Sequence, residues 1–169
     1  PNVNIYVGAG NSWGSWYGAM VSAIDPRFKG AVEIYCGDAT PNSDALINGR
    51  FLHAAKIPMY WVASTNDQNV TPKSLQKGFD ECAKLENKSL VINLPHSHVG
   101  FNFDSCFRMA DYYLKGGPDL PKLANAVVKD GKISANIVSP GKGITKAILC
   151  YTNDRDEKIS HKRVWKNIP

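Results

Sequence analysis

The chain has 169 residues, 43% of them hydrophobic and 21% charged, the balance of a globular protein with length for one ordinary domain or for one and a piece. No apolar run approaches membrane-spanning length and the first residues carry no signal-peptide pattern, so no membrane partner is expected. The formal net charge of +5 comes from scattered Lys and Arg, densest in Lys158, His161, Lys162, Arg163 and Lys166, without the aromatic interleaving of a nucleic-acid face; no nucleic-acid partner is expected.

The chain opens almost on a strand, without an initiator methionine, and reads as a processed or excised piece. Residues 4–9 form an apolar run that passes directly into Gly10-x-Ser12-x-Gly14 and then into a helical pattern over 15–24. That order is the sequence form of a nucleophile elbow, a strand-to-helix turn so tight that the serine is strained and its neighbours two places away must be nearly free of side chain. The turn lifts the Ser12 hydroxyl clear of the sheet and aims the Trp13 N–H at a developing oxyanion.

Three more runs, 31–36, 58–64 and 90–94, are apolar almost throughout, as strands buried on both faces of a parallel sheet are. Helices are predicted between and after them. The first stops at Asp25-Pro26, and the second, over 43–55, repeats Leu46, Ile47, Phe51 and Leu52 at helical spacing. The third, over 73–85, is opened by Thr71 as N-cap and Pro72 in the first turn, and the fourth, over 104–114, ends before Gly116-Gly117-Pro118. Strand and helix alternating in this way predict an α/β fold with a parallel sheet and right-handed crossovers. Beyond a linker at 117–122 the helical period vanishes. Runs at 123–128, 132–138, 145–151 and 164–168, with turn signals at Lys129-Asp130-Gly131, Ser139-Pro140-Gly141 and Asn153-Asp154, predict a partial antiparallel β-sandwich module over 123–169. The four cysteines, Cys36, Cys82, Cys106 and Cys150, lack zinc-ligand or C-x-x-C spacing and read as buried free thiols. Their even number is compatible with one disulfide.

A serine nucleophile needs a base and a carboxylate that orients it. Asp67 follows the 58–64 strand at once, and Pro95-His96-Ser97-His98-Val99-Gly100 follows the 90–94 strand. Both loops leave the carboxyl edge of the sheet from which Ser12 also leaves, in the order Ser, Asp, His of α/β-hydrolases. Asp67 is preferred as the acid over Asp38, which ends the preceding strand. His98 is preferred as the base over His96, because its glycine-containing context suits a mobile loop while His96 stands nearer the strand. Two histidines in five residues also suit a metal, but no further His, Cys or carboxylate cluster supports one; no metal or cofactor is expected. His53 and His161 fit surface or core roles.

Gly10-Asn-Ser-Trp-Gly-Ser-Trp16, followed by Ile24-Asp-Pro-Arg-Phe-Lys-Gly-Ala-Val32, resembles the acetylxylan esterase and dienelactone-hydrolase-like group of α/β-hydrolases. Asn66-Asp67 and Leu94-Pro-His-Ser-His98 are similar to that group's acid and histidine loops. The resemblance spans roughly residues 4–115, and the module that follows is similar to a small sandwich some bacterial members carry. It implies hydrolysis of a carboxylic ester, such as an acetyl group on plant polysaccharide, in a secreted or periplasmic bacterial protein. Two departures stand out: Ser15 replaces a frequent second glycine, and the first four strands of the family's sheet are missing. With them go the loop that gives the second oxyanion donor and an edge partner for the first strand. Residues 1–116 are therefore expected to be the C-terminal half of a hydrolase sheet. The expected partners are the N-terminal half, an ester or acetylated-carbohydrate substrate, and in its absence a second copy of the chain.

Two other functions compete. A prolyl-oligopeptidase-type peptidase shares elbow, order and fold. In a carbohydrate-binding module, Trp13, Trp16, Tyr17, Trp61 and Trp165 would form a stacking platform. Trp13 and Trp16 are read instead as walls of an acyl pocket, with Trp16 as a substrate contact, and Trp61 as core.

Overall fold

The computed structural model describes residues 6–37, 49–156 and 161–168. Strands β1 (Tyr6–Asn11), β2 (Phe28–Ile34), β3 (Met59–Ser64) and β4 (Leu85–Val91) form one sheet in sequential order. Every neighbouring pair is parallel. Helices α1 (Trp13–Ile24), α2 (Gly49–Ala54), α3 (Pro72–Glu81) and α4 (Asp104–Lys115) connect or follow them. The α/β class and the parallel sheet are those the sequence predicts.

The alternation of side chains along β2 shows how the layers stack. Glu33 meets Gly18 of α1, whereas Gly30 and Ile34 meet Tyr113 of α4 and Gly100 beyond β4. Helices therefore cover both faces, and β3 is buried at every position. This explains why its sequence is apolar throughout rather than alternating. Trp61 is fully buried, with its ring 5.6 Å from that of Phe79 in α3, in agreement with its reading as core.

The fourth strand differs from expectation in its bounds. It begins at Leu85 and ends at Val91, because an edge strand tolerates the polar stretch Glu86-Asn87-Lys88-Ser89 that hides it from a hydrophobicity scan. Tyr60 Oη bonds Ser89 Oγ at 2.7 Å, and the Lys88 ammonium sits 4.1 Å over the Phe79 ring, so that polar stretch is held by the body of the protein. α3 is correspondingly shorter than predicted. Its start is as expected, with Thr71 Oγ1 accepting from Ser74 N at 3.3 Å and proline in the first turn. Of the second predicted helix, Gly49–Ala54 is helical, while residues 43–48 lie outside the described residues, as does Asp38.

Beyond α4 come three two-stranded antiparallel sheets. β5 (Lys122–Leu123) pairs with β8 (Ile137–Ser139), enclosing the hairpin of β6 (Val127–Lys129) and β7 (Lys132–Ser134), and β9 (Leu149–Tyr151) pairs with β10 (Lys166–Ile168). Asp130 and Gly131, at φ 49° and 71°, close the β6–β7 hairpin in the manner of a two-residue type I′ turn, as an Asp-Gly pair should. These strands are largely exposed. Cys36, Cys82 and Cys106 are buried, while Cys150 lies on β9 but is exposed, contrary to its reading as a buried thiol; all four are free.

Candidate active site

The elbow is built as its glycines require. Ser12 has φ 55°, a left-handed conformation that costs a non-glycine residue about 1–3 kcal/mol. Its backbone is fully engaged. Its N–H donates to Ile34 O at 2.8 Å, and its carbonyl accepts from Ser15 N at 2.9 Å and Trp16 N at 3.3 Å. The buried Ser15 adds a hydroxyl bond to that carbonyl at 2.6 Å. Ser12 caps α1 without using its own side chain, which leaves the hydroxyl for chemistry. A Cβ at Gly10 would overlap the Gly14 carbonyl and Ser15 Cα, whereas one at Gly14 would meet nothing within 4 Å. The steric demand for glycine thus falls on one side of the serine, not on both.

Asp67 is 2% exposed. Its Oδ1 accepts from Asn69 N at 2.7 Å and Val70 N at 3.0 Å, and its Oδ2 lies 2.7 Å from His96 Nδ1. One carboxylate therefore shapes its own loop and fixes an imidazole. His96 Nε2 lies 2.7 Å from Ser12 Oγ. With Nδ1–H directed at the carboxylate, Nε2 is the acceptor for the serine proton.

The structure thus brings Ser12 and Asp67 together through His96, which corrects the preference for His98. The reason is the true end of β4. Because the strand stops at Val91, residues 92–95 give His96 a full loop in which to leave the sheet. His98 instead starts a short 3-10 helix, His98–Asn102, capped by the Ser97 hydroxyl on Val99 N at 3.3 Å, and is exposed. Trp16 also departs from its reading as a substrate contact. It lies on the stripe Ser15, Trp16, Ala19, Ser22, Ala23 by which α1 faces the sheet, and is 9% exposed against 60% for Trp13. The two rings meet edge to face at 4.5 Å, with Trp13 the exposed member of the pair. Its N–H, at the first helical position, has no carbonyl one turn back to bond.

Two supports of this geometry escape sequence inspection. The loop after β4 must cross the ends of β3 and β2 to reach a serine on β1, a span of roughly 15 Å at the spacing of neighbouring strands. Tyr35, immediately past β2, stands beneath that crossing. It is fully buried at φ 56°, its ring lies 4.5 Å from that of His96 with 27° between the planes, and its hydroxyl donates to Pro95 O at 2.6 Å. Burial pushes the Tyr35 phenol above its ordinary value of 10.0, so it remains a neutral donor. Asn11, within the elbow, adds a bond from Nδ2 to Ser97 O at 3.2 Å.

The second support holds the acid loop. Asn66 Nδ2 donates to Arg163 O at 2.8 Å and His161 O at 3.4 Å, while its Oδ1 accepts from Trp165 Nε1 at 2.8 Å. Trp165 is therefore engaged with the residue next to Asp67. Of the five aromatics that could form a sugar platform, Trp16 and Trp61 are buried, and Trp13 and Tyr17 remain highly exposed. The only signal of the Asn66 clasp in the sequence is a carboxamide placed between a strand end and the acid.

No family model matches the chain, and no curated protein matches it. Among solved structures, it is similar to a Klebsiella pneumoniae subsp. pneumoniae protein provisionally assigned as a dienelactone hydrolase, with 15% identity and a TM-score of 0.49. That likeness covers 64% of this chain and 51% of the other, so the chain spans about half the length of the structure it matches.

Proposed function

We propose that the chain carries the acyl-transfer centre of a serine carboxylic-ester hydrolase on the C-terminal strands of an α/β-hydrolase sheet, with Ser12 as nucleophile, His96 as base and Asp67 as its orienting acid. The observation that carries this reading is one imidazole at 2.7 Å from both the Ser12 hydroxyl and the Asp67 carboxylate, on a serine held in a strained elbow.

The chemistry follows from those contacts. Ser12 Oγ attacks the ester carbonyl as His96 Nε2 takes its proton, and Asp67 holds the imidazolium through Nδ1–H. The Trp13 N–H is directed at the carbonyl oxygen as it becomes an oxyanion. His96 then returns the proton to the departing alkoxide, leaving an acyl-Ser12 ester and a free alcohol. Water, activated by the same imidazole, releases the acid and restores Ser12.

The substrate class proposed is a short-chain ester such as the acetyl ester of a polysaccharide. Trp13 and Tyr17, exposed on the first turns of α1 beside the elbow, offer flat faces on which a sugar ring can stack while its acyl group reaches Ser12. A fluorophosphonate probe tests the centre directly. Labelling of the full-length protein should map to Ser12 by mass spectrometry, and Ser12→Ala should abolish both labelling and p-nitrophenyl acetate hydrolysis. Persistent turnover in a folded Ser12→Ala protein would remove the nucleophile assignment.

A further inference from the structure

We infer that Tyr35 is a positioning residue for the base, the support on which the long loop from β4 sets the His96 imidazole at the right height and tilt over Ser12. The inference rests on the triad reading above and adds a fourth residue to it.

Geometry carries the argument. Ser12 and His96 leave from β1 and β4, the first and last strands of the sheet among the described residues, so the loop that carries His96, and not a strand pairing, sets where the imidazole stands. What lies between them at the carboxyl edge is the end of β2, and there the chain turns Tyr35 into the left-handed region at φ 56°. An aromatic residue adopts that region rarely, and such outliers persist where the surroundings hold them. Here the surroundings are specific. Tyr35 N–H donates to Val62 O at 2.8 Å on β3, anchoring the backbone to the sheet, while Gly100 of the 3-10 helix packs on Ile34 and on the Tyr35 ring.

The side chain then makes two contacts with the crossing loop. Its hydroxyl holds the carbonyl of Pro95, the residue before the base, and its ring face lies against the imidazole itself. One contact fixes the main chain and the other the ring plane, and together they fix the direction of Nε2. The groups in contact with His96 are then Ser12 from the elbow, Asp67 from the acid loop and Tyr35 from β2. Cys106 of α4 is the further titratable group acting on Tyr35. A base misplaced by about 1 Å costs on the order of 10²-fold in rate, so the support acts on turnover and not on substrate affinity.

The test compares Tyr35→Phe, which keeps the ring and loses the Pro95 bond, with Tyr35→Leu, which loses both. Both variants are made in the full-length protein, with folding checked by circular dichroism and Ser12→Ala assayed alongside. Tyr35→Phe should lower kcat for p-nitrophenyl acetate about 3- to 10-fold, the range of one lost hydrogen bond. Tyr35→Leu should lower it about 30- to 100-fold, with KM within about twofold and fluorophosphonate labelling of Ser12 slowed in parallel. The His96 ring-proton resonances should lie upfield in the wild type and in Tyr35→Phe, and move downfield in Tyr35→Leu. Near-wild-type kcat in a folded Tyr35→Leu protein, or a rise in KM alone, would overturn the inference while a dead Ser12→Ala left the triad standing. Should Tyr35→Leu fail to fold, unchanged kcat and labelling in Tyr35→Phe would overturn it equally. Activity persisting in Ser12→Ala would instead strike the triad reading itself.

Discussion

At the scale of single residues, the two histidines of Pro95-His96-Ser97-His98 make opposite predictions. His96 touches both Ser12 and Asp67, whereas His98 is exposed at the start of a 3-10 helix. His96→Ala should therefore lower kcat/KM by on the order of 10³–10⁶, and His98→Ala should change it by no more than about threefold. Steady-state hydrolysis of p-nitrophenyl acetate checks both, and a larger loss for His98→Ala would reinstate it as the base. Ser12 and Asp67 were legible in the sequence because each follows a strand whose end is plain from its apolar run. The histidine that meets them was not, because β4 is an edge strand with a polar interior and its end is displaced from the apolar run at 90–94. A few residues of error in that boundary exchange the two histidines. Trp16 departs from its sequence reading for a related reason: the same indole suits a pocket wall or a core, and only the phase of α1 against the sheet decides.

At the scale of elements, the packing of α1 on β2 rests on an unusual pair. Gly18 makes room for Glu33, whose side chain would collide with a Cβ there, at 2.7 Å from Oε1. Glu33 is fully buried, and neither carboxylate oxygen has a hydrogen-bond partner among the described residues. Desolvation raises its pKa well above the ordinary 4.5, so in the folded protein it is a neutral acid. The unfolded chain releases this proton near pH 4.5 while the folded chain keeps it, so the contribution of Glu33 to stability is greatest below that pH. It should decline above it by about 1.4 kcal/mol per pH unit, until Glu33 itself ionises in the fold. Glu33→Gln removes that linkage. Urea unfolding at pH 5 and pH 7 should show the variant gaining stability relative to the wild type from the lower pH to the higher. An equal difference at both pH values would mean that the carboxyl is ionised in the fold or reaches a partner. Nothing in the sequence marks this arrangement, since the lone Glu of Ala31-Val-Glu-Ile34 stands in a run that is otherwise apolar. What permits it is a glycine fifteen positions away on a facing helix, a pairing visible only once the crossover is built.

At the scale of the whole molecule, the parallel half of the fold was legible because doubly covered strands announce themselves by composition. The downstream strands were legible only as turns and short runs, since each is too brief and too exposed for its burial pattern to mark it. Two features of that architecture bear on association. β1 begins the strand order, so among the described residues one of its backbone edges is unpaired, beside the elbow. Val128, Val138 and Val164 of the downstream segment are 73%, 66% and 73% exposed. A free backbone edge and exposed apolar side chains each favour association with another chain. In the proposed centre the elbow supplies one oxyanion donor, the Trp13 N–H, and loss of one donor from an oxyanion hole costs on the order of 10²–10³ in rate. The 169-residue chain by itself is therefore expected to associate, giving a light-scattering mass above 18.5 kDa that rises with concentration. It is also expected to turn over p-nitrophenyl acetate slowly, even though Ser12 still reacts with a fluorophosphonate. Recovery of turnover on adding a separate polypeptide that pairs along β1 would identify where the second donor comes from. A monodisperse monomer with turnover above about 1 s⁻¹, within the ordinary range for enzymes, would show that the chain supplies both donors itself and that its β1 edge needs no partner.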